Sequence, residues 1–281
     1  DVFQKKHSWT GQYYTRLYSA KMAEDGKLSD AKEYAEDLDT KFNEATPVFS
    51  KDGNTVYFTR NNYNDGKKGK SADKINKLKI YKATLKDGKW DDITELPFNS
   101  NDYSVAHPAL SADEKTLYFS SNRPGGLGGM DIWKIPIDSA GNTIGQPENL
   151  GSLINSDQDE VTPFFHEVSS TLFFSSNGHG SMGGLDIFKS FRLENGEWSP
   201  PVNLKYPINS GGDDFNYTII HSVNNLPFGY FTSTREGGNG REDIYTFKKL
   251  PPNPKKDEKT PTEKPKAVAY QYYLDVFVPF T

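Results

Sequence analysis

The chain has 281 residues, 33 Lys and Arg against 38 Asp and Glu, a formal charge of −5 and no cysteine. Disulfides, thiolate metal sites and cysteine nucleophiles are thereby excluded, and the interspersed charge leaves no basic face for nucleic-acid phosphates. No apolar run approaches the roughly 18 residues of a membrane-spanning helix, while 16 Tyr, 18 Phe and 24 Gly favour a β-rich chain with tight turns.

Asp1 opens the chain without Met or a secretory leader, which reads as a processed product or fragment. The first recognisable phrase is Leu17-Tyr18-Ser19-Ala20, which matches a third-strand phrase found further on, and Asp30 to Leu38 matches a fourth strand. Three close copies of one sentence follow: Thr55-Val56-Tyr57-Phe58-Thr59, Thr116-Leu117-Tyr118-Phe119-Ser120 and Thr171-Leu172-Phe173-Phe174-Ser175. Phe228-Gly229-Tyr230-Phe231-Thr232 is a looser fourth. Each precedes a second phrase, Lys79-Ile80-Tyr81, Asp131-Ile132-Trp133, Asp186-Ile187-Phe188 or Asp243-Ile244-Tyr245, and Pro47, Pro108 and Pro163 stand at one fixed upstream position. The fourth copy lacks that proline and the Asp-Gly turn.

A period of roughly 55 to 61 residues is near the kelch end of the range for propeller blades. Period-2 alternation bounded by Gly, Asp, Asn and Ser marks meandering antiparallel strands, and four such strands make one blade. The expected fold is therefore an all-β propeller of five four-stranded blades over residues 1–250, opening in mid-blade. Counting along the chain yields two, twelve and three strands, three short of a five-bladed ring. The missing strands precede Asp1, come from the C-terminal tail, or come from another chain; the first is favoured, with a contribution from the second.

Asn61 to Lys77 interrupts the first copy with a polar insertion bearing Lys67, Lys68, Lys70, Lys74 and Lys77. It reads as a solvated loop tip or, more sharply, a recognition surface. Residues 251–266 form a Pro/Lys/Glu-rich linker. Residues 267–281 then turn apolar and aromatic, with Tyr270, Tyr272, Tyr273 and Phe277. Such a tail starts another β domain, returns to complete a blade, or adds a strand to a partner.

Asp131, Asp186 and Asp243 recur just before the third strand. A carboxylate there can accept N–H bonds of the preceding Gly-rich loop, a structural role. Arg123 and Arg235 stand eight residues before two of them, and His179 takes that place in the third copy. Glu44, His107, Asp159, Glu160, Asp213 and Asp214 stand just before the first-strand proline position. They are the candidate channel residues, mostly structural, with cation binding or paired-carboxylate glycoside hydrolysis as sharper alternatives. No cofactor or resident metal is expected. The five histidines lack metal-ligand spacing, and the glycines from Gly125 to Gly129 lead into a strand, not the helix that phosphate binding requires.

The segment Pro47-Val48-Phe49-Ser50-Lys51-Asp52-Gly53 with Val56-Tyr57-Phe58, and Ser120-Ser121-Asn122-Arg123 through Asp131-Ile132-Trp133, resemble the WD40-like repeat of TolB-type propellers over about residues 44–247. His107-Pro108-Ala109-Leu110-Ser111, the Gly125 to Gly129 loop, Val202-Asn203-Leu204 and Ile208-Asn209-Ser210 resemble more narrowly the OmpA-family propeller proteins of Bacteroidota, including PorE-like components of type IX secretion and gliding systems. That resemblance implies a periplasmic, outer-membrane-associated protein whose partner is a PorP/SprF-like outer-membrane β-barrel. It implies contact with peptidoglycan only through an OmpA-like domain outside these residues.

The expected function is a non-catalytic interaction module. Its partner-binding candidates are Lys67, Lys68, Lys70 and Arg123, with Tyr270, Tyr272, Tyr273 and Phe277 of the tail, and the loops expected to make the contact are 61–77, 122–129, 177–184 and 235–240. A propeller hydrolase acting on glycans or peptides is the alternative, followed by a small-molecule or cation-binding propeller.

Overall fold

A computed structural model describes residues 14–40, 42–64, 67–166, 168–223, 226–249 and 272–277, with the backbone alone for 221–223, 226 and 272–277. Four four-stranded antiparallel sheets follow one another. The first holds β3 (Glu44–Phe49), β4 (Thr55–Asn61), β7 (Leu78–Lys86) and β8 (Lys89–Glu95), with a small hairpin of β5 (Tyr63–Asn64) and β6 (Lys67–Lys68) between its second and third strands. The second holds β9 (Val105–Leu110), β10 (Thr116–Ser121), β11 (Asp131–Pro136) and β12 (Glu148–Asn149). In the third are β13 (Glu160–His166), β14 (Thr171–Ser176), β15 (Asp186–Phe191) and β16 (Val202–Asn203), and in the fourth β17 (Asp214–Val223), β18 (Leu226–Ser233), β19 (Asp243–Lys249) and β20 (Tyr272–Phe277). Ahead of them β1 (Tyr18–Met22) and β2 (Leu28–Glu33) form a two-stranded sheet. The first strands β3, β9, β13 and β17 lie successively against one another and line a central cavity. The arrangement is a β-propeller.

The blade count differs from the expected five. Among the described residues there are four complete blades and one two-stranded outer half. The tail supplies the strand Tyr272–Phe277, paired antiparallel with β19 from Ile244↔Phe277 to Lys249↔Tyr272, so it completes the fourth blade. Tyr270 and the linker lie outside the described residues.

Alternation within each strand feeds two neighbouring interfaces. Tyr57 and Ile80 of the first blade pack with Leu117, Phe119, Trp133 and Ile135 of the second. Tyr118 and Ile132 pack with Leu172, Phe174 and Phe188 of the third, and Phe173 and Ile187 with Phe231, Tyr245 and Phe247 of the fourth. The other face of the first blade, formed by Val56, Phe58, Tyr81 and Ala83, is covered by Leu17, just ahead of the two-stranded sheet, and Leu38 of the 3-10 turn after it. The core is thus a series of inter-blade seams, which is how a repeat unit unable to bury its own face gains stability.

Two side-chain devices recur, each in three of the four blades. Asp131 accepts Leu127 N–H (2.6 Å), Gly128 N–H (3.2 Å) and the Asn149 amide (2.8 Å). Asp186 accepts Met182 N–H (2.7 Å) and the Asn203 amide (2.6 Å), and Asp243 accepts Gly240 N–H (3.0 Å). This is the structural role expected of these acids. A Cβ on Gly126 would stand 2.2 Å from Asp131 Oδ2, so the clamp requires glycine there. The second device is an asparagine in the linker to the next blade. Asn155 accepts Ile132 N–H (2.7 Å) and donates to Ile132 O (3.0 Å), while Asn209 does the same to Ile187 (2.8 and 2.9 Å) and Asn99 to Ile80 (3.1 and 2.7 Å). Each amide extends the outer edge of a third strand past the end of its fourth strand, satisfying a buried N–H there and adding a second donor to a carbonyl that Leu96, Leu150 or Leu204 N–H also reaches.

Candidate functional site

Each first strand carries a β-bulge in its first half, and at each of these one non-glycine residue is left-handed: Thr46 (φ 46°), His107 (φ 55°), Thr162 (φ 47°) and Asn216 (φ 54°). A bulge inserts one residue against the partner strand and re-aims a side chain. Holding a non-glycine residue there costs about 1–3 kcal/mol unless its surroundings compensate. The compensation is a chain of bonds from blade to blade. His107 N–H donates to Thr59 Oγ1 (2.9 Å), itself 2.8 Å from Thr46 Oγ1. Thr162 N–H reaches His107 Nδ1 (3.5 Å), and Asn216 N–H reaches Thr162 Oγ1 (3.4 Å).

These four residues surround a cavity of about 650 Å³ whose walls include Phe49, Phe164, Phe165, Tyr217, Phe231 and Ile244. Among the described residues no acidic side chain lines it. Desolvation pushes the His107 imidazole down to about 4, so the ring is neutral at physiological pH and its Nδ1 is the acceptor facing Thr162.

Of the six residues expected around the channel, His107 alone lines the cavity. Glu160 is fully buried and accepts Ser156 N–H (2.7 Å), Ser156 Oγ–H (2.6 Å) and Ser176 Oγ–H (2.7 Å), with His179 Nε2 at 3.6 Å. Asp214, also fully buried, accepts Ser210 N–H (2.6 Å) and pairs with Arg235 (2.7 Å). Asp159 and Asp213 reach back one blade, accepting Met130 N–H (2.7 Å) and Leu185 N–H (2.8 Å), and thereby pin the Gly-rich loops to the following blade. Glu44 is the odd member. Thr40 N–H (3.0 Å) and Thr40 Oγ1 (2.5 Å) both bond its Oε1, whereas its Oε2 is buried with no hydrogen-bond partner among the described residues. Burial outweighs the Thr40 bonds and pushes the carboxyl up to about 7. These acids therefore face the inter-blade loops, and among the described residues no group of three or more His, Cys, Asp or Glu is placed to hold a metal ion.

A second candidate surface is the end of the propeller carrying the loops between second and third strands. The insertion there folds down onto the first blade. Asn76 donates to Asn62 O (2.8 Å) and Gly69 O (2.6 Å), Asn62 donates to Asn101 (2.7 Å), and Asn64 to Glu95 (2.9 Å). Its outer side leaves Lys67, Lys68, Lys70 and Lys74 exposed, with Lys68 Nζ 5.2 Å above the Phe42 ring. Further round, Ile75, Leu127 and Met182 are exposed apolar side chains on the same end.

Arg123 stands with a recurring pattern. It lies over Trp133 (5.1 Å) and Tyr103 (5.5 Å), as Arg60 lies over Tyr81 (4.0 Å), Arg235 over Tyr245 (4.8 Å), and His179 against Phe188 (5.6 Å). Each is a cation or imidazole capping the aromatic of a third strand, a role that sequence spacing alone did not assign. Tyr272, Tyr273 and Phe277 fall on β20.

Comparison with solved structures agrees with the fold. Endo-arabinase from Bacteroides thetaiotaomicron is similar at a TM-score of 0.52 and 12% identity, over 77% of this chain and 81% of that one. A protein described as TolB from Agrobacterium tumefaciens is similar at 0.50 and 15% identity, over 83% and 76%. TolB from Acinetobacter baumannii, at 0.47 and 14% identity, is matched over 77% of this chain, which spans 43% of that protein's length. The chain shares the propeller fold with both TolB-type proteins and a glycan hydrolase. No family model and no curated protein matches it.

Proposed function

We propose that this chain is a non-catalytic periplasmic interaction module that docks on an outer-membrane β-barrel protein through its loop face, and that an OmpA-like domain outside these residues links it to the cell wall. The observation that carries the non-catalytic part is the cavity wall. Glycoside hydrolysis needs two carboxyl groups flanking one bond, roughly 5–10 Å apart across a shared cleft. Here the repeat-register acids are bonded into loops, and the cavity is faced by hydroxyls, an amide, a neutral imidazole and aromatic rings. The motif resemblance supplies the compartment and the class of partner.

The loop face supports docking in physical terms. Rigid blades present loops whose own backbone groups are already bonded, so little ordering entropy opposes association. A rim of four exposed lysines beside Ile75, Leu127 and Met182 combines charge for steering with apolar area for retention.

The test is retention of an outer-membrane protein from detergent extract by the chain and by a triple charge reversal at Lys67, Lys68 and Lys70. The reversal is expected to lower retention at least tenfold while leaving the melting temperature unchanged, since these side chains are exposed. Equal retention by the two proteins would refute the loop face as the docking surface.

A further inference from the structure

The second blade keeps only half of a charge pair that the two blades after it hold whole at the loop end. Three first strands open on a fully buried acid, Glu44, Glu160 and Asp214, and the second blade has the equally buried Val105 in that place. Register fixes the correspondence. Val105 faces Ser121 as Glu44 faces Arg60, Glu160 faces Ser176 and Asp214 faces Ser233. Just past that partner the third and fourth blades carry the basic member. Arg235 pairs with Asp214 (2.7 Å) and donates to Pro207 O (2.8 Å) and Ile208 O (2.5 Å). His179 Nε2 stands 3.6 Å from Glu160 and 2.9 Å from Ile154 O.

Arg123 occupies the same place in the second blade and has lost both kinds of partner. The acid is Val105. The linker carbonyl, Phe98 O, precedes the bridging amide Asn99 as Ile154 and Ile208 precede Asn155 and Asn209, and here it accepts from the Tyr103 hydroxyl (3.1 Å). What remains to the guanidinium is the Trp133 ring on one side and the Tyr103 ring on the other. Among the described residues it makes no ion pair and no side-chain hydrogen bond, and its Nη1 is buried without a partner. The nearest acid along the loop, Asp131, is committed to Leu127 and Gly128 N–H. A guanidinium stays charged at every physiological pH, and a charge partly withdrawn from water without a counter-charge is costly. The residue is only half-buried, with Asn122, Pro124 and Leu127 exposed around it. The same end carries the exposed Lys67, Lys68, Lys70 and Lys74, and Asn62 at the root of their insertion bonds to Asn101, two residues before Tyr103. Such a field draws acidic groups and repels basic ones.

We infer that Arg123 is the seat for a carboxylate carried by the docking protein, an Asp or Glu side chain that supplies from outside the counter-charge that Glu160 and Asp214 supply within their own blades. The inference rests on the loop-face reading and adds what the partner must present there. Two rings hold the planar guanidinium in place before binding, which lowers the ordering cost of the contact. Exposed Leu127 beside it offers apolar area to the residues flanking the acid.

The probe is the peptide acetyl-Leu-Glu-Leu-amide, with its Gln analogue as control, titrated into the full chain. Heteronuclear NMR reads the Arg123 Nε–H and the Trp133 indole N–H, the latter held by its bond to Ser121 O (3.2 Å). The Glu peptide is expected to shift both resonances saturably and the Gln peptide neither. Two variants are expected to weaken the response at least tenfold: Arg123→Gln, which removes the charge, and Val105→Glu, which supplies the acid in cis as Glu160 does. Where Val105→Glu melts below the parent, Arg123→Gln carries the comparison. Retention of the outer-membrane protein is expected to fall at least tenfold in both variants with Lys67, Lys68 and Lys70 intact. No shift with the Glu peptide, equal shifts with both peptides, or a response unchanged in Arg123→Gln overturns the inference. A peptide response with retention unchanged in both variants also overturns it, and leaves the lysine reversal to its own test. Retention lost in these variants but kept after the lysine reversal supports the carboxylate seat and refutes the wider lysine face.

Discussion

Two titratable groups, the buried Glu44 and the half-buried His107, are expected to make stability pH-dependent in opposite senses. The Glu44 carboxyl lies near 7 in the folded chain against an ordinary 4.5, so folding favours its protonated form. Its contribution is fully present below pH 4.5 and is lost as pH rises toward 7. Glu44→Gln retains an acceptor for Thr40 and removes the charge. The melting-temperature difference, variant minus parent, is therefore expected to grow between pH 5 and pH 8, and a difference constant with pH would contradict the burial argument. The His107 imidazole lies near 4 against an ordinary 6.5, so its contribution is present above pH 6.5 and lost as pH falls toward 4. His107→Asn keeps an acceptor and tolerates the left-handed backbone. It is expected to flatten the acid limb of the stability profile in that window, as thermal melts at closely spaced pH values would show.

At the scale of the element, the blade rests on polar side chains that imitate backbone. Asn155 replaces a strand for Ile132 at both N–H and C=O. Asn155→Ala leaves the buried Ile132 N–H unpaired while Ile132 O keeps the Leu150 N–H (3.1 Å), and a loss of about 1–3 kcal/mol is expected in denaturant unfolding. Valine in the same place offers no polar group either, so it should not rescue. This device explains what the chain concealed. The phrases around Tyr57, Tyr118 and Phe173 announced the second strands, and the clamp by Asp131 and its counterparts was readable because a repeated acid beside a Gly-rich loop has one simple use. Asn99, Asn155 and Asn209 recur at the blade period, but an amide between two strands carries no local sign that it stands in for strand backbone.

The channel was misjudged for a related reason. Counting by twos along the first strand brings Glu44, Glu160 and Asp214 toward the axis, but the bulge at Thr46, Thr162 and Asn216 adds a residue that alternation cannot see. The left-handed residues take the channel and the acids turn into the loops. His107 was found because it occupies the bulge position itself.

For the whole molecule, the repeat period predicted a propeller and the structure is one. The expected five-bladed ring, opening in mid-blade and three strands short, resolves into four blades and an outer half, with the aromatic tail completing the fourth. The tail escaped assignment because the linker hides which edge it returns to, and pairing across a long connection leaves no local signal. The two ends of the propeller differ in a way that bears on function. One carries tied-down loops with exposed lysines and apolar tips, and the other carries short turns such as Ser50 to Thr55, closed by Asp52 on its own neighbours.

The most direct test of the docking account is site-specific photo-crosslinking in intact envelopes. A crosslinker is placed singly at Lys68, Leu127 and Met182 on the loop end, and at Ile144 and Leu193, exposed on the turn end. The account predicts adducts with a heat-modifiable integral outer-membrane protein from the three loop-end positions and none from the two turn-end positions. Adducts from the turn end alone, or equal labelling from both ends, would contradict it.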